Sequence, residues 1–147
     1  MTIELYRPLT VARIGPEGLE TLVEANPDEC AALARRFGLP ALHALTCRFR
    51  LRPLVGGAIA AQGALRAEVV QVCVVSAVDF PATVTEAFTV HFVPAGTEDD
   101  DPDPESVDEI PYAGDRLDLG EAAAEQLALA LDPFPHKPGV ADRDGDA

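Results

Sequence analysis

A chain of 147 residues with three cysteines, no tryptophan and a formal net charge of −14 is long enough to bury a core without disulfides or metal, and a single domain over 1–147 is the default expectation. The cysteines, Cys30, Cys47 and Cys73, are odd in number and widely spaced, which is no disulfide framework; they read as reduced core thiols that behave as small hydrophobes. The opening Met1-Thr2-Ile3-Glu4-Leu5-Tyr6-Arg7-Pro8 has no basic start followed by an apolar stretch, and no apolar run approaches the roughly 20 residues that span a bilayer, so a soluble, cytoplasmic chain with no membrane partner is expected.

The charge is unevenly placed. Residues 1–96 carry eight arginines against nine acids, whereas residues 97–147 carry sixteen acids against Arg116, Lys137 and Arg143. A nearly neutral body is followed by a strongly acidic last third, which bears on any contact with nucleic acid, because phosphate binding needs clustered positive charge.

In chain order, residues 3–6 and 10–14 read as extended and broken by Pro8. Residues 18–25 read as a short strand with Leu19, Thr21, Val23 and Ala25 on one side. Asn26-Pro27-Asp28-Glu29 supplies an N-cap, a proline at the first helical position and a capping-box glutamate. Cys30, Leu33, Ala34 and Phe37 then share one helical face, and Gly38 and Pro40 end the element, which predicts a helix over 27–37. Residues 41–52 alternate Cys47, Phe49 and Leu51 with Arg48, Arg50 and Arg52, the period of a half-buried strand.

Beyond Pro53, 55–61 and 64–75 read as a hairpin turning near Gln62-Gly63. The run Val69-Val70-Gln71-Val72-Cys73-Val74-Val75 is apolar on both faces, as for a central strand covered on both sides. Residues 83–93 form another strand, with Val84, Phe88, Val90 and Phe92 on one face, interrupted by Glu86. Residues 97–109 hold eight acids and two prolines; they cannot bury enough apolar surface to offset the entropy of ordering, so a mobile acidic loop over about 97–110 is expected. Asp118-Leu119-Gly120-Glu121 reads as a second capping box, opening a helix over about 118–131 with the stripe Leu119, Ala123, Gln126, Leu127 and Leu131, stopped by Pro133. The segment 137–147 reads as a flexible tail. Hairpin-length connections and segregated helices together predict an α+β fold: a curved, mainly antiparallel, barrel-like sheet of about five to six strands with two helices.

Several constellations bear on chemistry. On a strand, Arg48, Arg50 and Arg52 leave one face at roughly 6–7 Å spacing, given about 3.3 Å of rise per residue; guanidinium groups so spaced suit bidentate phosphate contact. Arg66 lies nearby if its strand joins the same sheet. The competing reading is a solvated face paired with acids such as Glu68. Cys73 with His91 or His136 lacks any CxxC, HxH or HExxH spacing, so neither metal nor cofactor is expected. No nucleophile elbow or glycine-rich phosphate loop occurs, so neither catalysis nor a small-molecule substrate is expected. Gln71, in a buried-looking run, must find partners for its amide. Glu98, Asp99, Asp100, Asp101, Asp103 and Glu105 form either a solvating loop or a grip on a basic partner. The late helix packs its leucines on the sheet or offers them to a partner.

Three blocks of the chain resemble the YceD family, the large-ribosomal-RNA-subunit accumulation proteins, in its short-tailed form. The first is Tyr6-Arg7-Pro8-Leu9 leading to Asp28-Glu29-Cys30-Ala31-Ala32-Leu33-Ala34-Arg35-Arg36-Phe37. The second runs Gly63-Ala64-Leu65-Arg66-Ala67, Val70-Gln71-Val72-Cys73-Val74-Val75, Asp79-Phe80 and Glu86-Ala87-Phe88-Thr89-Val90-His91-Phe92. The third, the most specific, is Asp118-Leu119-Gly120-Glu121 with Glu125-Gln126-Leu127-Ala128-Leu129-Ala130-Leu131-Asp132-Pro133-Phe134-Pro135.

The resemblance implies a non-enzymatic role in the synthesis, processing or stability of large-subunit ribosomal RNA. The expected partners are that RNA or its precursor particle and a basic ribosomal protein. The alternative is an acidic interaction module that mimics nucleic acid toward a basic protein. Gln71, Cys73, Ser76, Asp118, Gly120, Glu121, Glu125 and Gln126 stand at family-motif positions. Many relatives carry a central Cys-x-x-Cys and a second cysteine group, which together suggest zinc. Here Cys73 matches the first position, Ser76 occupies the second and no cysteine follows, so the resemblance implies that this chain has lost the site.

Overall fold

In the computed structural model, which describes residues 4–97 and 107–138, two helices cover one face of a five-stranded sheet and leave the other open. The first helix, α1 (Pro27–Phe37), has the predicted bounds. The Asn26 side chain accepts the Glu29 N–H, and the Glu29 carboxylate accepts the Asn26 N–H, both at 2.8 Å. Two of the donors orphaned at a helix start are thereby satisfied. Gly38 takes the left-handed conformation (φ 67°) that closes the other end. Cys30, Leu33 and Ala34 are buried in the same core as Leu45, Cys47 and Phe49 of the sheet.

The sheet comprises β2 (Leu19–Glu24), β3 (Ala41–Pro53), β4 (Ile59–Val72), β5 (Asp79–Pro94) and β6 (Asp108–Tyr112), hydrogen-bonded in that order. All neighbours are antiparallel except β5 and β6, which are parallel. A separate two-stranded ribbon joins β1 (Pro8–Thr10) to β7 (Arg116–Asp118) and leads directly into α2 (Leu119–Ala130). The fold is α+β, but its sheet is open rather than closed into a barrel. Its edges are the short β2, which carries Glu20 and Glu24, and β6, which carries Asp108, Glu109 and Pro111. Charges and proline on short strands discourage further pairing.

Several expectations change. Gln62-Gly63 is no turn: β4 runs unbroken through it. Gly63 pairs with Phe49 on one side and Phe88 on the other, whose rings meet edge to face at 5.9 Å. A Cβ on Gly63 would run into the Phe88 ring, so the glycine makes room for an aromatic inside a strand. The β3–β4 reversal instead uses Gly56 and Gly57, both at positive φ.

β4 is the central strand, yet only one face is covered: Val70 is half-buried and Val72 is 42% exposed. Val74 and Val75 lie in the exposed turn beyond it. Pro8 does not break a strand but begins one, the position where its missing N–H does no harm, while Val11–Arg13 form a single 3-10 turn. Part of the expected acidic loop is also strand, since Asp108–Tyr112 pairs with β5.

Candidate nucleic-acid interface

Alternation along β3 sends Leu45, Cys47, Phe49 and Leu51 into the core and Arg48, Arg50 and Arg52 to the open face, where all three are exposed. The register places Arg66 on the same face. Arg66 pairs with Thr46, one step along from the pair Arg48–Ala64. The four arginines therefore share one surface, as the alternation anticipated.

Their partners differ. Arg50 contacts Glu20 across the β2–β3 pair at 3.2 Å, and Arg66 contacts Glu68 at 2.9 Å. The Arg50–Glu20 pair is exposed on both sides and is worth little in water. The competing expectation of a face paired with Glu68 thus holds for Arg66. Arg48 and Arg52 form no ion pair among the described residues.

One end of this face is concave. A groove of about 480 Å³ is lined by Arg50 and Arg52 of β3, Gln62 of β4, Thr89 and His91 of β5, and Glu17 from the turn before β2. The register explains the convergence. Glu20, Arg50, Gln62 and Thr89 form one row across four strands, and Arg52, Ala60 and His91 form the next. Ala60 is small and buried, which lowers the floor. Gln62, Thr89 and His91 do not stand out in the sequence as site residues, because Gln62-Gly63 has the composition of a turn although β4 runs through it. A continuous β4 would have put all three on the arginine face.

The family-motif positions lie elsewhere and do structural work. Asp118 caps α2 by accepting the N–H groups of Gly120 and Glu121, and it also accepts the Arg7 N–H at 3.0 Å. The reciprocal half of the expected capping box is replaced. The Glu121 carboxylate instead receives both terminal nitrogens of Arg36 of α1, each at 3.0 Å. Arg36 also reaches Glu4 at 3.1 Å.

Arg7 in turn grips Glu29 with two nitrogens, at 2.6 and 2.7 Å. This holds the Glu29 carboxyl below its ordinary range, chiefly through the hydrogen bonds from Arg7. Gly120 sits where a Cβ would meet the Leu5 carbonyl at 2.6 Å. Desolvation, then the neighbouring Glu121, raise the Glu125 carboxyl, while Gln126 is half-buried on the helix stripe. Gln71 is buried and donates to the Asp132 carbonyl at 3.3 Å, tying the end of β4 to the end of α2. This arginine–carboxylate web was not anticipated, although Arg7 and Arg36 stand in the first block of the resemblance.

Glu98, Asp99, Asp100, Asp101, Asp103 and Glu105 lie outside the described residues. Cys30 and Cys47 are buried core thiols, and burial pushes Cys47 up to about 12. Cys73, also buried, differs. The Lys137 backbone N–H, then the Ser76 hydroxyl, lower its thiol to about 6, and the Ser76 N–H lies 3.4 Å from its sulfur.

A match to the family model described as large ribosomal RNA subunit accumulation protein YceD covers residues 61–146. The chain belongs to the YceD family. The second and third blocks of the resemblance fall within the match, as does Arg66; the first block and β3 lie before it. No curated protein and no solved structure gives a match.

The zinc implied for many relatives is poorly suited to this chain. The donor after Cys73 is Ser76, and among the described residues no group of three or more His, Cys, Asp or Glu side chains is placed to hold a metal ion. Among those residues, too, no helix is long and apolar enough to cross a membrane.

Proposed function

We propose that this YceD-family protein is a cytoplasmic, non-enzymatic accessory factor in ribosome biogenesis. In this reading it promotes accumulation of large-subunit ribosomal RNA by binding that RNA, or its precursor particle, through the open face of the sheet. The family's name carries the role in accumulation. The observation that carries the mode of action is the arginine face: four exposed guanidinium groups on two neighbouring strands, two of them without an ion-pair partner among the described residues. Unpaired guanidinium groups are ready for phosphate oxygens at little desolvation cost.

A net charge of −14 opposes contact with naked RNA over the molecule as a whole, so binding is confined to this face and weakens steeply with salt. The deciding experiment is a depletion strain scored for mature and precursor large-subunit RNA. Rescue by the wild-type chain and failure of rescue by the triple variant Arg48→Ala, Arg50→Ala, Arg52→Ala is the expected result; full rescue by that variant sinks the proposal.

The second reading, an acidic module that engages a basic ribosomal protein, is favoured by one observation, the eight acids between residues 97 and 109. Removing 98–107, which spares β6, then abolishes co-sedimentation with precursor particles, whereas the arginine-face reading predicts that binding to RNA survives the deletion.

A further inference from the structure

The groove at the end of the arginine face has a chemistry that a plain phosphate site does not need. Phosphate alone calls for cations, yet two carboxylates, Glu17 and Glu20, line the groove together with Arg50, Arg52, Gln62 and His91. Glu20 is partly spoken for by Arg50. Glu17 makes no ion pair among the described residues, and its position is set by backbone geometry. It belongs to the tight turn in which Gly18 N–H donates to the Gly15 carbonyl at 2.9 Å. Gly18, at φ 91°, lies so close to Leu51 of β3 that a Cβ would meet that carbonyl at 2.7 Å. The turn is thus pressed onto β3, which places Glu17 among the residues lining the groove with Arg50 and Arg52, its carboxylate lying over Gly15.

An anionic group at one end and hydrogen-bond donors at the other describe a nucleotide. A carboxylate accepts from exocyclic amines on a base edge, as from N4 of cytosine. Uracil instead presents two carbonyls around a single N–H. Unstacked bases of single strands are the part of RNA whose edges proteins read, and guanidinium and imidazole planes serve as stacking surfaces where aromatics are absent. The volume of about 480 Å³ lies within the range of small-ligand sites.

We propose that this groove seats one nucleotide of single-stranded RNA, with Arg50 and Arg52 on its phosphate and Glu17 accepting from an amine-bearing base, so that the protein prefers cytosine-, adenine- or guanine-bearing strands over uracil. The inference rests on the reading of the open face as an RNA surface and adds base selection to it.

The test is fluorescence anisotropy of the full chain with end-labelled hexamers of oligocytidine and oligouridine at low salt. Oligocytidine binds at least about fivefold more tightly than oligouridine, the size of one base-edge contact. Glu17→Gln collapses that ratio without loss of the thermal midpoint. Arg52→Gln weakens both hexamers roughly tenfold, as expected for a lost charge-assisted contact. Arg48→Gln weakens both while leaving the ratio intact.

Equal binding of the two hexamers, still lost in Arg48→Gln and Arg52→Gln, overturns the nucleotide seat and leaves the RNA face standing. Absence of binding to either hexamer and to precursor particles overturns both. Loss in Glu17→Gln of binding to a basic ribosomal protein, with no RNA binding at all, gives the groove to a protein partner and overturns the inference as well.

Discussion

The two faces of the sheet are built on opposite uses of arginine. On the covered side, Arg7 and Arg36 are consumed by structure. Each is bound by a carboxylate through two nitrogens, and together they lash the N-terminal segment and α1 to the start of α2. On the open side, Arg48 and Arg52 form no ion pair among the described residues, and Arg50 and Arg66 pair only with Glu20 and Glu68 on the same open face. The same side chain is a fastener where its partner is fixed by packing and an available ligand-binding group where it is not. Substitutions on the two sides should therefore separate cleanly into losses of stability and losses of binding.

The largest expected effect is in the core beneath α2. Leu127 is completely buried, and Leu127→Ala should cost about 2–5 kcal/mol of unfolding free energy, the range for leucine truncations with incomplete relaxation. Urea denaturation measures it. A loss under about 1 kcal/mol, below that range, would mean that α2 is not packed on the sheet and would break the contrast between the faces. Gly120→Ala should follow at about 1–3 kcal/mol, because the new methyl meets the Leu5 backbone, which cannot swing aside as a side chain can.

Arg7→Gln should have a smaller effect that also depends on pH. The Glu29 carboxyl is depressed below its ordinary value of 4.5 by the hydrogen bonds from Arg7. Its stabilising contribution is complete above that ordinary value and lost as pH falls through the lower folded value. The variant should be less stable than wild type at neutral pH, and the gap should close on acidification below about 4.5. A gap constant down to strong acid would show that the Arg7–Glu29 contact contributes nothing through ionisation.

Cys73 offers a parallel measurement at higher pH. Its folded thiol titrates at about 6 against an ordinary 9.0, so the ultraviolet absorbance of its thiolate should rise around 6. The stability it adds, complete above 9.0, should fade as pH falls through the folded value. Cys73→Ser should remove both signals.

How much of this division was legible beforehand depends on whether a signal is local. Asn26, Pro27, Glu29 and Gly38 act on their own turn of chain, and α1 came out with its predicted bounds. Period-two alternation through Cys47–Arg52 likewise placed the arginine face. The errors fall where a distant partner decides. Gly63 has the composition of a turn but serves Phe88, which lies 25 residues away in β5. The residues of β6, Asp-Glu-Ile-Pro-Tyr, read as loop one by one, and become a strand because the edge of β5 supplies hydrogen bonds and Ile110 and Tyr112 pack against the core. The hydroxyl of Tyr112 then donates to the Gly57 carbonyl at 2.6 Å, fixing β6 near the reversal between β3 and β4. The groove was invisible for the same reason, since its row from Glu20 to Thr89 exists only through register across four strands.

The smallest stability effect should belong to the open face, and it is the most informative. Arg48 is exposed and without an ion pair among the described residues, so Arg48→Ala should shift unfolding by no more than about 0.5 kcal/mol in either direction. If Arg48 meets an RNA phosphate, the same substitution should lower the slope of log affinity against log salt by about 0.7, the release expected per single-strand phosphate contact. A stability loss comparable to that of Arg7→Gln, or a salt slope that does not move, would erase the distinction between fastening and available arginines. A change in slope with no change in stability would place Arg48 on the binding side of the molecule, because no rearrangement of the fold could produce one without the other.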